Sequence, residues 1–232
     1  MDISTIVSAA AIIVSLVSAS IAYSLQRSDS KRSAREQLSK SVAELINLNS
    51  KNYSTWSVEP EKRNAAYYQE LGLISQIAAS LTRQAVFLVN SFPQMVTDVD
   101  YVAIAQGLMI VGDNVLADTY MQNAISVSPS DFYRIINLRG YADFLFRQGR
   151  HEPAREKYQE ALGILDNHTD FNKATNGYTY QMWMMSEFYN GFPAESDAHY
   201  QRAIGIFNSI SNQYTKAQSI SNIRQAKDAF PS

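Results

Sequence analysis

One four-residue skeleton recurs three times in the second half of the chain: a glycine, a small residue five on, an aromatic or Met four later, then an alanine three later. It reads Gly112–Ala117–Met121–Ala124, Gly149–Ala154–Tyr158–Ala161 and Gly191–Ser196–Tyr200–Ala203. A pattern held in register through otherwise different sequence marks a repeated supersecondary unit. Such a unit buries its apolar face only by stacking on its neighbours, so the pattern predicts a helical array.

Each glycine is preceded by a matching stripe. Before Gly112 the positions are Tyr101, Ile104, Ala105 and Leu108; before Gly149 they are Leu138, Tyr141, Ala142 and Leu145. Before Gly191 stand Tyr180, Trp183 and Met184, with Glu187 where the others have leucine. Steps of three, one and three place these side chains on one helix face. A second helix follows each glycine, with the small residue at the close backbone approach. The glycine is the turn, since it tolerates the left-handed conformation that ends a helix. Pro129 closes the first unit, because proline cannot continue a helix.

These residues together resemble the tetratricopeptide repeat, over units 98–131, 135–168 and 177–210. The second unit fits best, with the run Tyr158-Gln159-Glu160-Ala161-Leu162, and the third is degenerate at Met184, Glu187 and Ser196. Ala124, Ala161 and Ala203 lie 37 and 42 positions apart, against about 34 in a standard repeat. The excess predicts insertions between units, the longer being the polar stretch Asn167–Asn176. The resemblance implies an α-solenoid of about three helix pairs whose first helices line a concave groove for a protein or peptide. Carried onto this chain, the groove positions are Val102, Gln106, Met109 and Ile110, then Arg139, Asp143, Phe146 and Arg147, then Tyr178, Met182, Met185, Phe188 and Tyr189. Members that clamp a peptide carboxylate use Lys, Asn and Arg at such positions. Only Arg139 and Arg147 are basic here, so the expected ligand is an amphipathic helix on an apolar groove with adaptable methionines. The groove has two competing occupants, residues 61–89 of the same chain or a second copy, since soluble chains rarely leave such patches bare.

The N-terminus adds a second constraint. From Ile3 to Leu25 no residue is charged and none is Pro or Gly. At about 1.5 Å per residue this run crosses a hydrocarbon core of roughly 30 Å. The alternative is a cleaved signal peptide, with Val17-Ser18-Ala19 as the site. Met1-Asp2 offers no basic start, however, and Arg27, Lys31, Arg32 and Arg35 follow the run instead. That asymmetry predicts an uncleaved single-pass anchor over 1–25 with the C-terminal domain cytoplasmic. Ala11, Ser15 and Ala19 give the anchor a small-residue face suited to self-association.

Between anchor and repeats, residues 26–59 read as a juxtamembrane amphipathic helix, with Leu38, Val42, Leu45 and Ile46 on one face, and a linker over Asn49–Pro60. Residues 60–93 read as a non-repeat cap, either one helix or two broken near Ser80. Its stripe is Tyr67, Leu71, Ile74, Ile77, Leu81, Ala85 and Leu88, ended by Phe92-Pro93. Residues 212–232 read as a C-terminal capping helix, with Ile220, Ile223, Ala226 and Phe230 inward.

Chemistry-bearing patterns are few. The formal charge of −2 gives no footprint for nucleic acid. With no cysteine, thiol catalysis and cysteine-ligated metal centres are excluded. His151, His168 and His199 fall in different units without a second ligand at metal spacing, and read as solvated side chains. Glu152 and Glu156 share a helix face with Arg155 and Lys157 nearby, an ordinary charged surface. No cofactor and no catalytic residue is assigned. The sequence therefore predicts a membrane-tethered adaptor that binds a partner helix or peptide. The alternative is a non-catalytic regulatory or assembly subunit of a membrane enzyme or transporter.

Overall fold

A computed structural model describes the backbone of residues 3–56 and 58–230, and the side chains of residues 26–56 and 58–230. Among these residues there are nine α-helices, two short 3-10 turns and no strand. The helices are α1 (Ile3–Trp56), α2 (Ala65–Ser91), α3 (Asp98–Ile110), α4 (Asn114–Ser126), α5 (Asp131–Arg147), α6 (His151–Leu162), α7 (Asp170–Tyr189), α8 (Pro193–Asn208) and α9 (Gln213–Asp228). They fall into two units, the first formed by residues 1–96 with 106–113 and the second by 97–105 with 114–232.

In the first unit α1 and α2 form a long antiparallel hairpin. Leu38, Val42 and Leu45 of α1 and Ile74, Ala78, Ala85 and Leu88 of α2 are buried, the facing stripes of two amphipathic helices. Lys51 Nζ pairs with Glu70 at 2.9 Å near the turn. The expected linker is shorter than Asn49–Pro60: α1 runs on to Trp56, and a 3-10 stretch at Pro60–Lys62 precedes α2. Asn and Ser weaken a helix by only tenths of a kcal/mol each, and docking against α2, where Thr55 is buried, outweighs that. Asn64 then caps α2, its side chain accepting from Tyr67 N at 3.1 Å. The helix is unbroken at Ser80. Trp56 is 56 % exposed, and its carbonyl accepts from Arg63.

The expected anchor is helical from Ile3 and continuous with α1. The side chains of residues 1–25, including Ala11, Ser15 and Ala19, lie outside the described residues. Among those described, α2 is the one helix long and apolar enough to cross a membrane by length and composition. It packs, however, along a part of α1 that carries Lys40, Glu44 and Lys51. Charges at the centre of a bilayer cost several kcal/mol each, so this pairing suits water rather than lipid.

The three skeleton glycines, Gly112 in the first unit and Gly149 and Gly191 in the second, have φ of 83°, 72° and 85°, the left-handed turn conformation that only glycine adopts without strain. At each turn the residue after the glycine donates back to a carbonyl five residues earlier. The bonds are Asp113 to Leu108 at 2.9 Å, Arg150 to Leu145 at 3.0 Å and Phe192 to Glu187 at 2.9 Å. This is the Schellman closure of a helix end, made three times. The pairs α5–α6 and α7–α8 pack tightly, with Ala154, Ala161 and Ala203 fully buried. Tyr101 of α3 meets Tyr120 of α4 edge-on at 5.6 Å.

The polar insertion is shorter than Asn167–Asn176. Thr169 caps α7 by accepting from Asn172 N at 3.1 Å, so the helix begins at Asp170. Asn176 is buried inside that helix and donates to Leu165 O and Asn167 Oδ1, both at 3.0 Å. A turn is thereby held from both sides, which composition alone reads as a loop. At the C-terminal end α9 packs its Ile220, Ile223 and Ala226 into a cluster with Met184, Ala203 and Phe207.

Two glycines inside helices give opposite expectations. A Cβ at Gly177 would overlap the Phe207 ring, whereas one at Gly140 meets nothing within 4 Å. Gly177→Ala is expected to lower stability by about 1–3 kcal/mol through overpacking. Gly140→Ala is expected to raise it by roughly 0.5–1 kcal/mol through lost chain entropy. Urea melts of the two variants check both signs.

Candidate partner-binding face

The expected groove residues divide into distinct environments. Val102 belongs to the second unit and Gln106, Met109 and Ile110 to the first, all four partly buried. On α5, Arg139 and Asp143 are partly buried and Arg147 is exposed, paired to Asp143 at 2.9 Å. Phe146 is fully buried, directed into the α5–α6 pair beside Tyr158 and His151. It is therefore core and not groove.

Three α7 residues are partly buried and packed on neighbours from later in the chain. Phe188 stacks on Phe230 with centroids 3.8 Å apart. Tyr178 meets Phe207 edge-on at 5.5 Å, and Met185 packs on the cluster of Met184, Phe207 and Ile223. The C-terminal helix packs on this part of α7 through Ile220 and Ile223. Of the α7 residues expected in the groove, Met182 and Tyr189 stay exposed, Tyr189 at 62 %.

What remains is a stripe along α5 at helical steps of four, three, four and four, with Phe132, Ile136 and Arg147 exposed and Arg139 and Asp143 partly so. Its first end is aromatic. Phe132 lies 5.4 Å from Phe171 of α7 and 5.8 Å from Tyr133, and all three are exposed, as is Ile136 at 40 %. Its other end is charged. Phe132, Tyr133 and Phe171 were not expected at the site. Their signal was a pair of adjacent aromatics just after Ser-Pro-Ser-Asp, and a lone Phe in a polar stretch.

The helix pairs are joined by polar contacts, exposed or part-buried at two junctions and built on a fully buried carboxylate at the third. Between α4 and α5, Tyr141 Oη donates to Asp118 Oδ1 at 2.5 Å and Arg150 Nη1 to Asp118 Oδ2 at 3.1 Å. Burial works to raise the Asp118 carboxyl, but these bonds outweigh it and hold the group below its usual range. Burial, with that same bond, pushes the Tyr141 phenol up to about 12. Between α6 and α7, Arg155 of α6 grips fully buried Glu187 through two bonds of 2.8 Å, and Trp183 Nε1 donates to the same carboxylate at 2.8 Å. Between α8 and α9, Asp197 pairs with Lys227. Glu187, which looks like a fault in the stripe, is thus the acceptor that Arg155 requires.

His199 is corrected as well. It is buried, stacked on Trp183 at 3.9 Å, with Nε2 4.0 Å from Glu187 Oε1 and Nδ1 without a partner. Burial pushes its pKa down to about 4. Ser196, one turn earlier, is fully buried with an unpartnered Oγ. Ser, His and Glu are close here, yet the carboxylate is committed to Arg155 and Trp183 and the hydroxyl is sealed between helices. A nucleophile needs substrate access and a base oriented toward it, so this cluster holds helices together. Among the described residues no three His, Asp or Glu converge as metal ligands.

No family model, curated protein or solved structure matches the chain.

Removing one half of the buried pair leaves the other uncompensated. Glu187→Leu is expected to cost on the order of 3 kcal/mol, and Arg155→Leu/Glu187→Leu distinctly less; chemical denaturation of both variants checks the order. A second expectation concerns pH. His199 has a folded pKa below its unfolded value, so the unfolded chain binds the proton more readily between pH about 6.5 and 4. Stability therefore falls as pH drops through that window, by up to roughly 3 kcal/mol. The difference between the wild type and His199→Phe, measured across those pH values, isolates this dependence from that of the carboxylates.

Proposed function

We propose that the chain is a single-pass membrane-tethered interaction module, in which a tetratricopeptide-like array presents α5 to a helical or extended segment of a partner protein. The observation that carries this reading is the stripe from Phe132 to Arg147, exposed at both ends and partly accessible between them. Aromatic side chains at one end offer apolar area with little entropy to lose, and charged side chains at the other set orientation. Three hairpins closed by the same glycine turn support the repeat assignment. The uncharged run Ile3–Leu25, followed by Arg27, Lys31, Arg32 and Arg35, supports an anchor with the repeats on the cytoplasmic side. The partner segment carries an apolar face followed by an acidic group at the level of Arg139.

A photo-crosslinking residue at position 136 of the full-length chain in its native membrane tests this reading. The expected outcome is a crosslink to a second protein species that disappears in Phe132→Ser/Phe171→Ser and weakens on Arg139→Glu. Crosslinks confined to the chain itself would overturn it. The absence of cysteine permits a matching topology test. A single cysteine at Ser130 is expected to react with an impermeant maleimide only after the cells are broken.

A further inference from the structure

Helix α2 is apolar on more sides than its neighbours cover. Its Thr82, with Leu45 of α1, lies against Gly107, and Ile74, Ala78, Ala85 and Leu88 are buried. Yet only a third of its most apolar stretch is buried, and a helix apolar on several sides normally buries them all. On the side away from Thr82, the residues Leu73, Ile77, Ser80, Gln84 and Phe87 are exposed, Leu73 at 54 % and Phe87 at 68 %. They recur at steps of four, three, four and three, the spacing of a seam between two helices, with Ile77 and Leu73 at the two positions where Ile and Leu favour a two-stranded pair. From Leu71 to Thr97 the one charged residue is Arg83. It stands beside the seam, and its guanidinium donates back to Ala79 O at 3.1 Å.

Two constraints select what covers this seam. The first is self-complementarity. In a two-fold pair with parallel α2 helices each seam residue meets its own twin. Leu73, Ile77 and Phe87 match themselves, and the Ser80 hydroxyl and Gln84 amide both donate and accept, so each also pairs with its copy. A carboxylate or ammonium at these positions repels its copy, and none is present. The second constraint is area. The 27 residues of α2 make it about 40 Å long, and the two-helix hairpin is about 20 Å wide. A face of that size is roughly 800 Å2, what each partner contributes to a stable complex.

We propose that a second copy of this chain covers the seam, α2 packing in parallel on the partner's α2, with Gln84 setting the register as a polar residue in an apolar seam does. The parallel sense rests on the reading of Ile3–Leu25 as the anchor, since two chains anchored alike share a two-fold axis along the membrane normal. The dimer presents two α5 stripes on one assembly, so a partner carrying two binding segments is held by both at once.

The chain lacks cysteine, so single cysteines report without background. Leu73→Cys, Ile77→Cys, Ser80→Cys, Gln84→Cys and Phe87→Cys are made in the full-length chain and oxidised in the membrane with copper phenanthroline. Tyr68→Cys and Gly72→Cys, exposed positions off the seam, serve as controls. The expected result is a disulfide-linked homodimer at every seam position and monomer at both controls. Adding Ile77→Lys to Leu73→Cys or Ser80→Cys is expected to abolish the link with helical circular dichroism unchanged. Seam cysteines that form no more disulfide than the controls overturn the dimer. If they also resist a water-soluble maleimide, the face belongs to lipid or to a different protein. A link confined to one level of the seam marks an antiparallel pair and overturns the parallel dimer. Extraction with alkaline carbonate separates these results from the anchor reading: a chain released into the supernatant overturns the anchor, and a chain retained leaves it standing whatever the seam shows.

Discussion

Helix backbones in this chain meet only where side chains withdraw, and the architecture follows from those few places. Ala117 and Ala124 of α4, Ala154 and Ala161 of α6, and Ser196 and Ala203 of α8 are all fully buried. Each sits where larger side chains would push two helices apart. With no side chain at Gly177, the Phe207 ring lies against the α7 backbone, and Gly107 similarly admits Leu45 and Thr82. Close approach lets dispersion contacts accumulate over many atoms. It also leaves little room for adjustment, because interiors of this density transmit strain. The large residues Tyr158, Phe144, Phe146 and Leu145 fill the spaces that the small ones define.

The parts of this arrangement that depend on local rules were legible in the sequence. A glycine that must adopt positive φ, and side chains that recur at three and four, are set within one turn of helix. Gly112, Gly149 and Gly191 therefore announce their turns unaided. Which side of a helix is covered, and by what, is a different kind of question. Tyr178, Met185 and Phe188 have the spacing of an open face, yet they pack on Phe207 of α8, Ile223 of α9 and Phe230 just past it, residues 29 to 42 positions later in the chain. Glu187 and Arg155 are separated by 32 residues, and neither signals the other in the sequence. The extension of α1 through Asn49 to Trp56 has the same origin. Weak local preference favoured a linker there, and packing by α2 decided for helix.

The candidate site was legible by halves for the same reason. Arg139, Asp143 and Arg147 fall at the steps a repeat helix uses for its exposed face, so a template finds them. Phe132 and Phe171 lie at the starts of α5 and α7, beyond the reach of that template, and only the side-by-side placement of the two helices makes them a patch. Phe146 has a groove position in the sequence but turns inward, where Tyr158 and His151 receive it.

The contacts that join successive pairs have a further property. Asp118, Arg155 and Asp197 each stand six residues past their own turn glycine, and each reaches forward to the next element. Their charges alternate: negative, positive, negative. A hairpin docked one place out of order would set Asp118 or Asp197 against the buried carboxylate of Glu187, where charge is poorly screened, or Arg155 against the ammonium of Lys227. Repeats with near-identical turns are otherwise interchangeable surfaces, prone to pair with the wrong neighbour during folding or with another copy of the chain. Alternating polarity at one position makes each junction accept only its own successor. The three hairpins thus carry, in three side chains, a record of their sequence order that the backbone alone does not hold.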